Sequence, residues 1–482
     1  MVFRRSVPLL LLVTACPADT ASTVTDTGST GSASDTSDTG STTGAPEGTS
    51  SSGEPDTTSP SGVVPTTSDV ETTDPTTSGT TVAPDPICGN GFVEGEEPCD
   101  DGNDEVDDGC NSKCQRTGVP VWTQSWDSGD KKDDYGDAVA IDAEGNIYVV
   151  GTSASAEFQR DAIIRKLDPE GKELLKFSFA GQLALEDNGL GIAVGEDGSI
   201  YVVGAEQIVD DGPFQGWARK YDKTGKELWA FVRASALPDV GTGFINGVAV
   251  DGDIVYVAGR ESDTEKNIFR SYLMRLDGSD TPVWSVETPD AAGTNFTGVA
   301  VTPDGDVVFA AGLRDANKDV TALVAKYTAD GDEVWSKTFL EKKGYANAVA
   351  VAEDGTIAVA GLAVNVNDLD LWVARLDADG AEIWNDKYDS EQGTDIGFGV
   401  AHGEAGDIYV SGYVTLQGQS KNATVRRYTP DGALYWVSTY NDEENLFDSA
   451  AAVAVHGERV VVTGTDFVLG SGSNHWTRAY EL

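Results

Sequence analysis

From residue 119 onward, apolar and polar positions recur in one unit. A run rich in Ala, Gly and Val leads into a short Gly-containing turn. A second, almost continuously apolar run follows and ends in glycine. Seven segments fit: GDAVAIDAEGNIYVVG, GLGIAVGEDGSIYVVG, INGVAVDGDIVYVAG, FTGVAVTPDGDVVFAAG, ANAVAVAEDGTIAVAG, GFGVAHGEAGDIYVSG and AAAVAVHGERVVVTG. They end at Gly151, Gly204, Gly259, Gly312, Gly361, Gly412 and Gly464, spaced 49–55 residues apart, a period that marks a repeat architecture. Each interval holds a second hairpin, such as AIIRKLDPEGKELLKF or WVARLDADGAEIWND, with a glycine turn between two β-rich runs. One repeat therefore predicts four antiparallel strands, a to d. Unbroken apolar character in strands a and b implies sheets covered on both faces. Small residues in strand a suit strands that converge on an axis. The expected fold is all-β, a seven-bladed β-propeller over residues 117–482. The seventh repeat ends at TRAYEL without a strand d, whereas VPVWTQSW, residues 119–126, has the look of a strand d with no repeat of its own. It is expected to complete the seventh blade and so remove an open sheet edge.

The repeats resemble the SBBP repeat of secreted bacterial proteins. Its signature, D-x-x-V-A-K-L-D-x-x-G-x-x-x-W followed by G-x-A-V-D-x-x-G-x-x-Y-V-x-G, is met here at Asp370–Trp384 and Gly136–Gly151. The resemblance implies the propeller and carries no shared chemistry, since propellers host many functions. Trp229, Trp284, Trp335, Trp384 and Trp436 recur at one strand d position, and Trp217, Trp372 and Trp476 recur in strand c. Both series predict packing rather than a ligand cage.

Ahead of the repeats the pattern changes three times. MVFRRSVPLLLLVTAC pairs Arg4 and Arg5 with a short apolar run, too short to span a bilayer, and predicts an export signal over residues 1–16. Leu12-Val13-Thr14-Ala15-Cys16 looks like a bacterial lipobox, so Cys16 is the expected site of lipidation, and two or three acyl chains would anchor the protein to a membrane. Residues 17–86 hold 33 Ser or Thr, eleven acids, no Lys or Arg and no aromatic residue. Such a segment cannot offset its ordering entropy and predicts a disordered tether. Residues 87–116 place Cys88, Cys99, Cys110 and Cys114 in a stretch too short for its own core, which predicts two disulfides of undetermined pairing. CGNG, CDDGN and DGC here resemble the myxobacterial cysteine-rich repeat, which implies a surface-exposed module. Asp100, Asp101, Asn103, Asp107 and Asp108 form an oxygen-rich loop that calcium could use; a solvated acidic turn is the favoured alternative.

Composition narrows function. The chain of 482 residues carries 33 basic and 80 acidic side chains, a formal net charge of −47, which excludes a basic nucleic-acid binder. Residues 117–482 alone carry 29 basic against 60 acidic side chains, which favours neutral or cationic ligands. Three histidines, His402, His456 and His475, match no nucleophile pattern, and His402 is expected as a satisfied buried imidazole. No catalytic residues are expected, and no cofactor beyond the conceivable calcium.

The d–a and b–c connections are long and the a–b and c–d turns short, so a ligand is expected on the long-loop face around the channel mouth. Polar candidates just before strand a are Asp134, Asn188, Asn246, Thr297, Asn347, Asp395 and Asp448. Aromatic candidates on the same loops include Tyr135, Phe244, Phe296, Tyr345 and Phe398. The alternative for each is turn capping. The expectation is an exported, membrane-anchored monomer, in the outer membrane or at the cell surface, that binds an extracellular protein, peptide or glycan without catalysis. Two alternatives remain. One is a quinoprotein-like oxidoreductase, suggested by KYDKTGKELWAF, which looks like a quinone-propeller docking motif. The other is an extracellular polysaccharide lyase or hydrolase.

Overall fold

The computed structural model describes residues 87–93, 97–103, 108–111, 113–129, 133–154, 160–181, 185–209, 212–233, 241–263, 268–288, 298–314, 317, 319–340, 343–366, 368–441, 445–469 and 472–481. The export signal with Cys16, the tether, Asp107, Phe296 and Thr297 lie outside the described residues. Among the described residues no helix is long and apolar enough to cross a membrane.

Twenty-eight strands form seven four-stranded sheets. The first blade is β2 (Tyr135–Ile141), β3 (Ile147–Ala154), β4 (Arg160–Leu167) and β5 (Glu173–Phe179). The second is β6 (Asp187–Val194), β7 (Ile200–Gln207), β8 (Phe214–Tyr221) and β9 (Glu227–Arg233). The third is β10 (Thr242–Asp251), β11 (Ile254–Asp263), β12 (Ile268–Leu276) and β13 (Pro282–Glu287). The fourth is β14 (Gly298–Val301), β15 (Val307–Arg314), β16 (Val320–Tyr327) and β17 (Glu333–Phe339). The fifth is β18 (Gly344–Val351), β19 (Ile357–Val364), β20 (Leu369–Leu376) and β21 (Glu382–Tyr388), and the sixth is β22 (Ile396–His402), β23 (Ile408–Thr415), β24 (Lys421–Tyr428) and β25 (Leu434–Tyr440). The seventh combines β26 (Asp448–His456), β27 (Arg459–Val468) and β28 (Gly472–Glu481) with β1 (Val119–Trp126) from the other end of the chain. The strand read from sequence as an orphan is β1, paired antiparallel to β28 with Pro120 opposite Tyr480 and Trp126 opposite His475. The innermost strands contact one another in a closed cycle, β2, β6, β10, β14, β18, β22, β26 and back to β2. The fold is an all-β, seven-bladed propeller.

Two glycine series hold the ring together. Strand a carries a β-bulge wherever its early residues are paired: at Asp137, Leu190, Asn246, Asn347, Phe398 and Ala451 the register slips by one. The bulge drives a strand a carbonyl, such as that of Tyr135 or Asn188, onto the glycine that closes strand b, and any Cβ at Gly151 or Gly204 would collide with it. The repeated terminal glycine is thus the partner of a repeated bulge.

The second series lies outside. Gly171, Gly331, Gly380 and Gly432, in c–d turns with positive φ, sit under Trp122, Trp284, Trp335 and Trp384 of the preceding blade, where a Cβ would come within 2.8–2.9 Å of the indole. Each indole N–H donates to a carbonyl of the same turn: Trp122 to Pro169 at 3.0 Å, Trp284 to Ala329 at 2.9 Å, Trp335 to Ala378 at 3.3 Å and Trp384 to Pro430 at 3.0 Å. Arg275 and Arg375 donate to the Ala329 and Pro430 carbonyls as well, and Arg459 to that of Pro169. The sequence motif ending in tryptophan is therefore an inter-blade staple. Trp217, Trp372 and Trp476 are fully buried between strands of adjacent blades, as expected.

The cysteine module leads directly into β1. Its disulfides join Cys88 to Cys114 and Cys99 to Cys110. The Arg116 carbonyl accepts the Val437 amide of β25 at 3.0 Å, and the Arg116 guanidinium lies 4.9 Å from the Tyr435 ring centre. Gly118 fits against Trp436 and Tyr480, taking the place a turn glycine holds at other seams.

Candidate binding site at the channel mouth

The bulges lie at the start of each strand a, so they ring the channel at the end where the long connections enter. A bulge frees its extra residue from pairing and re-aims its side chain. The described bulge residues are Asp137, Leu190, Asn246, Asn347, Phe398 and Ala451, one in each blade except the fourth, and they differ almost throughout. Neighbouring positions repeat Gly, Ala or Val from blade to blade because packing demands it. The bulge position escapes that demand.

The sequence candidates divide along this register. Asn246, Asn347 and Phe398 are bulge residues. Asp134, Asp395 and Asp448 stand three residues earlier and are fully buried. Asp134 accepts the amides of Ser128 at 2.7 Å and Ala154 at 3.0 Å, and Asp395 accepts those of Ser390 at 2.6 Å and Thr415 at 2.8 Å. These carboxylates tie the d–a loop to the end of strand b. Burial raises the pKa of both, against the lowering effect of the same amides. Tyr135, Asn188 and Tyr345 occupy the position between. The Arg160 guanidinium lies 5.5 Å from the Tyr135 ring centre, and Asn188 accepts a 3.4 Å hydrogen bond from Thr152 of the first blade. Phe244, at the same position, is buried and stacked on Phe214 at 5.4 Å.

Asp137 was not among the sequence candidates. It is half-buried, its Oδ2 is enclosed without a hydrogen-bond partner, and burial alone pushes its pKa up to about 7. Its only signal in the sequence is alignment with Asn246, Thr297 and Asn347, which becomes visible once the bulge is known. Asn246 Oδ1 and Asn347 Oδ1 are likewise enclosed and unpartnered, although Asn347 donates to the Gly397 carbonyl of the next blade at 2.9 Å. Phe398 meets Tyr413 edge-on at 5.5 Å. Three of the bulge residues thus hold an enclosed oxygen without a donor, and a fourth, Phe398, packs on an aromatic ring of strand b.

One histidine expectation needs correction. His402 is not satisfied: neither ring nitrogen has a well-formed hydrogen bond, and burial, followed by the nearby Arg375, lowers its pKa to about 4. His475 does have hydroxyl partners, Thr463 at 2.8 Å and Thr477 at 3.2 Å, but it is fully buried, and desolvation lowers its pKa to about 3. A pair sealed from solvent offers no nucleophile to a substrate.

In the cysteine module, Asp100 accepts the amides of Asn90, Gly91 and Gly102, and Asp101 accepts that of Cys110 at 3.0 Å. Asn103 donates to Asp108 at 3.0 Å. Among the described residues, the carboxylates of Asp100, Asp101 and Asp108 are engaged by N–H groups of the module itself. A different acidic cluster, missed in the sequence, joins Asp368, Asp370 and Asp389, with carboxylate oxygens within 4.8 Å of one another. Burial, partly offset by Asn365 and reinforced by Asp389 and Asp368, raises the pKa of Asp370. A cavity of about 540 Å³ opens beside it, lined by Phe339, Lys343, Asn365, Trp372 and Lys387. The KYDKTGKELWAF motif forms the c–d hairpin of the second blade, on the rim opposite the mouth.

Comparison with known proteins bears on the fold. Residues 129–159 match the family described as Beta-propeller repeat (SBBP). Residues 82–115, which span the cysteine module, match Domain of unknown function (DUF4215). No curated protein matches the chain. Among solved structures, a protein of unknown function from Dyadobacter fermentans DSM 18053 is similar at 12% identity and TM-score 0.46, over 75% of this chain and 98% of that one. Sqt1 from Chaetomium thermophilum is similar at 11% identity and TM-score 0.41, over 76% and 98%. The α-L-arabinofuranosidase Arb93A from Fusarium graminearum, in complex with an iminosugar inhibitor, is similar at 11% identity and TM-score 0.42, over 76% and 98%. The chain is a seven-bladed β-propeller in which residues 129–159 match the SBBP repeat, preceded by a two-disulfide module that matches DUF4215.

Proposed function

We propose that this protein is an exported, lipid-anchored binding module that presents a propeller to extracellular proteins, peptides or glycans and holds them at the long-loop mouth without transforming them. The observation that carries this reading is the bulge ring. It places Asp137, Asn246 and Asn347 at the point where the blades converge and leaves an oxygen of each without a donor. An unpartnered buried acceptor costs free energy, and a ligand hydroxyl or amide would remove that cost. The anchor rests on the Cys16 lipobox and the tether on composition. Binding of the purified chain to an immobilised panel of neutral oligosaccharides and peptides tests the reading. Asp137→Asn and Asn246→Ala are expected to weaken the best binder at least tenfold. No binding across the panel, or binding indifferent to both changes, overturns it. Labelled palmitate incorporated by the parent and lost in Cys16→Ser tests the anchor.

The glycan lyase or hydrolase alternative gains one specific support. A carboxyl with a pKa of about 7 suits a proton donor, and Asp137 has one. Release of reducing or unsaturated sugar ends by the parent chain, abolished in Asp137→Asn, would favour catalysis over binding.

A further inference from the structure

At the long-loop end of the sixth–seventh seam, four aromatic rings form one connected series. Phe398, the bulge residue of β22, meets Tyr413 of β23 with ring centres 5.5 Å apart. Tyr413 meets Phe447, which immediately precedes β26, at 5.5 Å, and Phe447 meets Phe467 of β27 at 5.5 Å. Lys421, the first residue of β24, ends among them. Its ammonium donates to the Tyr413 hydroxyl at 3.0 Å and lies 4.4 Å from the Tyr413 ring centre and 5.6 Å from that of Phe447. Tyr409, Ala423 and Val425 pack with Val453, Val460 and Val462 of the seventh blade, so Tyr413 and Lys421, on the same sides of β23 and β24, face that seam too.

Lys421 differs from the other lysines withdrawn from solvent. Lys166, Lys220 and Lys326 lie 3.4, 3.9 and 3.1 Å from Asp142, Asp253 and Asp306, and Lys337 donates to the Asp379 carbonyl at 2.7 Å. Lys421 is half-buried, has no carboxylate partner among the described residues, and keeps N–H groups beyond the one given to Tyr413. Desolvation lowers its pKa. Burial, followed by the nearby Asp395, raises that of the Tyr413 phenol, which therefore keeps a proton that no described residue accepts. The Asp395 oxygens are occupied by the amides of Ser390 and Thr415. A desolvated ammonium without a counter-charge is costly, and here it stands beside a hydroxyl able to share the same acceptor.

We propose that the long-loop rim of the sixth–seventh seam is a subsite for the C-terminal carboxylate of a peptide, taken up by the Lys421 ammonium and the Tyr413 hydroxyl, with the apolar side chain of its last residue on Phe398 and Phe447. A carboxylate has two oxygens, and the two donor atoms are 3.0 Å apart, so one group can reach both. The rings decide between acidic ligands. A sugar acid would bring hydroxyls that need partners, and four phenyl-type rings supply none; an apolar side chain needs only the ring surface. Phe398 belongs to the bulge series, so the subsite adjoins the mouth. The inference rests on the binding reading above and deepens it, because it selects peptide over glycan and gives the peptide an end and a polarity.

The test uses the full chain with lysine labelled at Cε, titrated with N-acetyl-Ala-Phe, with the same dipeptide as its C-terminal amide, and with galacturonate. The free acid is expected to shift the Lys421 resonance, assigned by its loss in Lys421→Met, whereas the amide leaves it in place. By calorimetry the amide, and the acid with Lys421→Met or Tyr413→Phe, should each bind about tenfold more weakly or worse, and Lys421→Arg should keep part of the affinity. Melting temperatures of the three variants close to that of the parent show that the ring series is intact. A Lys421 resonance unmoved by the free acid, or moved equally by acid and amide, overturns the subsite. A resonance moved by galacturonate and not by the dipeptide overturns the peptide assignment. In either case, panel binding that still depends on Asp137 and Asn246 leaves the mouth reading standing, and loss of both fails both.

Discussion

The indole N–H of Trp122 donates to the carbonyl of Pro169 at 3.0 Å, tying the strand that opens the propeller to the first blade's c–d turn, 47 residues further along the chain. Trp122 belongs to the seventh blade in space and precedes the first in sequence. The bond therefore makes the seventh-to-first seam equivalent to those at Trp284 and Trp384. Trp122→Ala is expected to cost about 2–4 kcal/mol, from lost aromatic burial and one hydrogen bond. Chemical denaturation checks this, with Trp284→Ala as an internal control of similar cost.

At the Trp384 seam, glycine has no substitute. Gly432 has φ 93°, and a Cβ there would meet the indole at 2.8 Å. Gly432→Ala is expected to destabilise by about 1–3 kcal/mol through strain and displaced packing, and Gly418→Ala, with nothing within 4 Å, by less. Melting temperatures of the two variants decide.

Asp137 makes stability fall with rising pH. An unfolded aspartate titrates near 3.9 (about 4), and Asp137 in the ring near 7. Across that window the native state keeps a proton that the unfolded chain has lost, so stability drops as pH rises and stays lowered above it. Asp137→Asn is expected to match the parent near pH 4 and to exceed it above pH 7 by about 1–3 kcal/mol. Denaturation curves at both pH values test this.

The histidines act in the opposite direction. His402 and His475 titrate at about 4 and about 3 in the fold, against about 6.5 unfolded. Their stability is fully present above the unfolded value and is lost as pH falls towards the folded ones. His402→Val restores the aliphatic residue found at the matching position of other repeats. It is expected to move the acid-unfolding midpoint to lower pH, and an unchanged midpoint would show that His402 does not contribute.

The Cys88–Cys114 bridge closes a separation of 26 residues, which by loop entropy contributes about 3 kcal/mol to the module. Reduction is expected to expose residues 87–111 to protease while β1 stays paired to β28, because the propeller's own seams hold that strand. Limited proteolysis with mass mapping checks both halves of the expectation.

Much of this was legible before the structure. The glycine period, the small residues of strand a and the unpaired VPVWTQSW segment dictated seven blades and their closure, because a sheet covered on both faces leaves an alternation-free apolar signature that repeats with each blade. Cysteine count implied two bridges but not their pairing, which depends on where a coreless loop brings its sulfurs. The mouth was legible only in part. Asp134, which ties down a loop, and Asp137, the bulge residue, are both aspartates at the start of strand a and differ by three positions. A bulge inserts one residue without altering composition, so Asp134 stood out and Asp137 did not. Which lysines would find a carboxylate was equally hidden. Charge matching at a seam is set by which faces of two blades meet, and residues from separate repeats come together there only once the ring has closed.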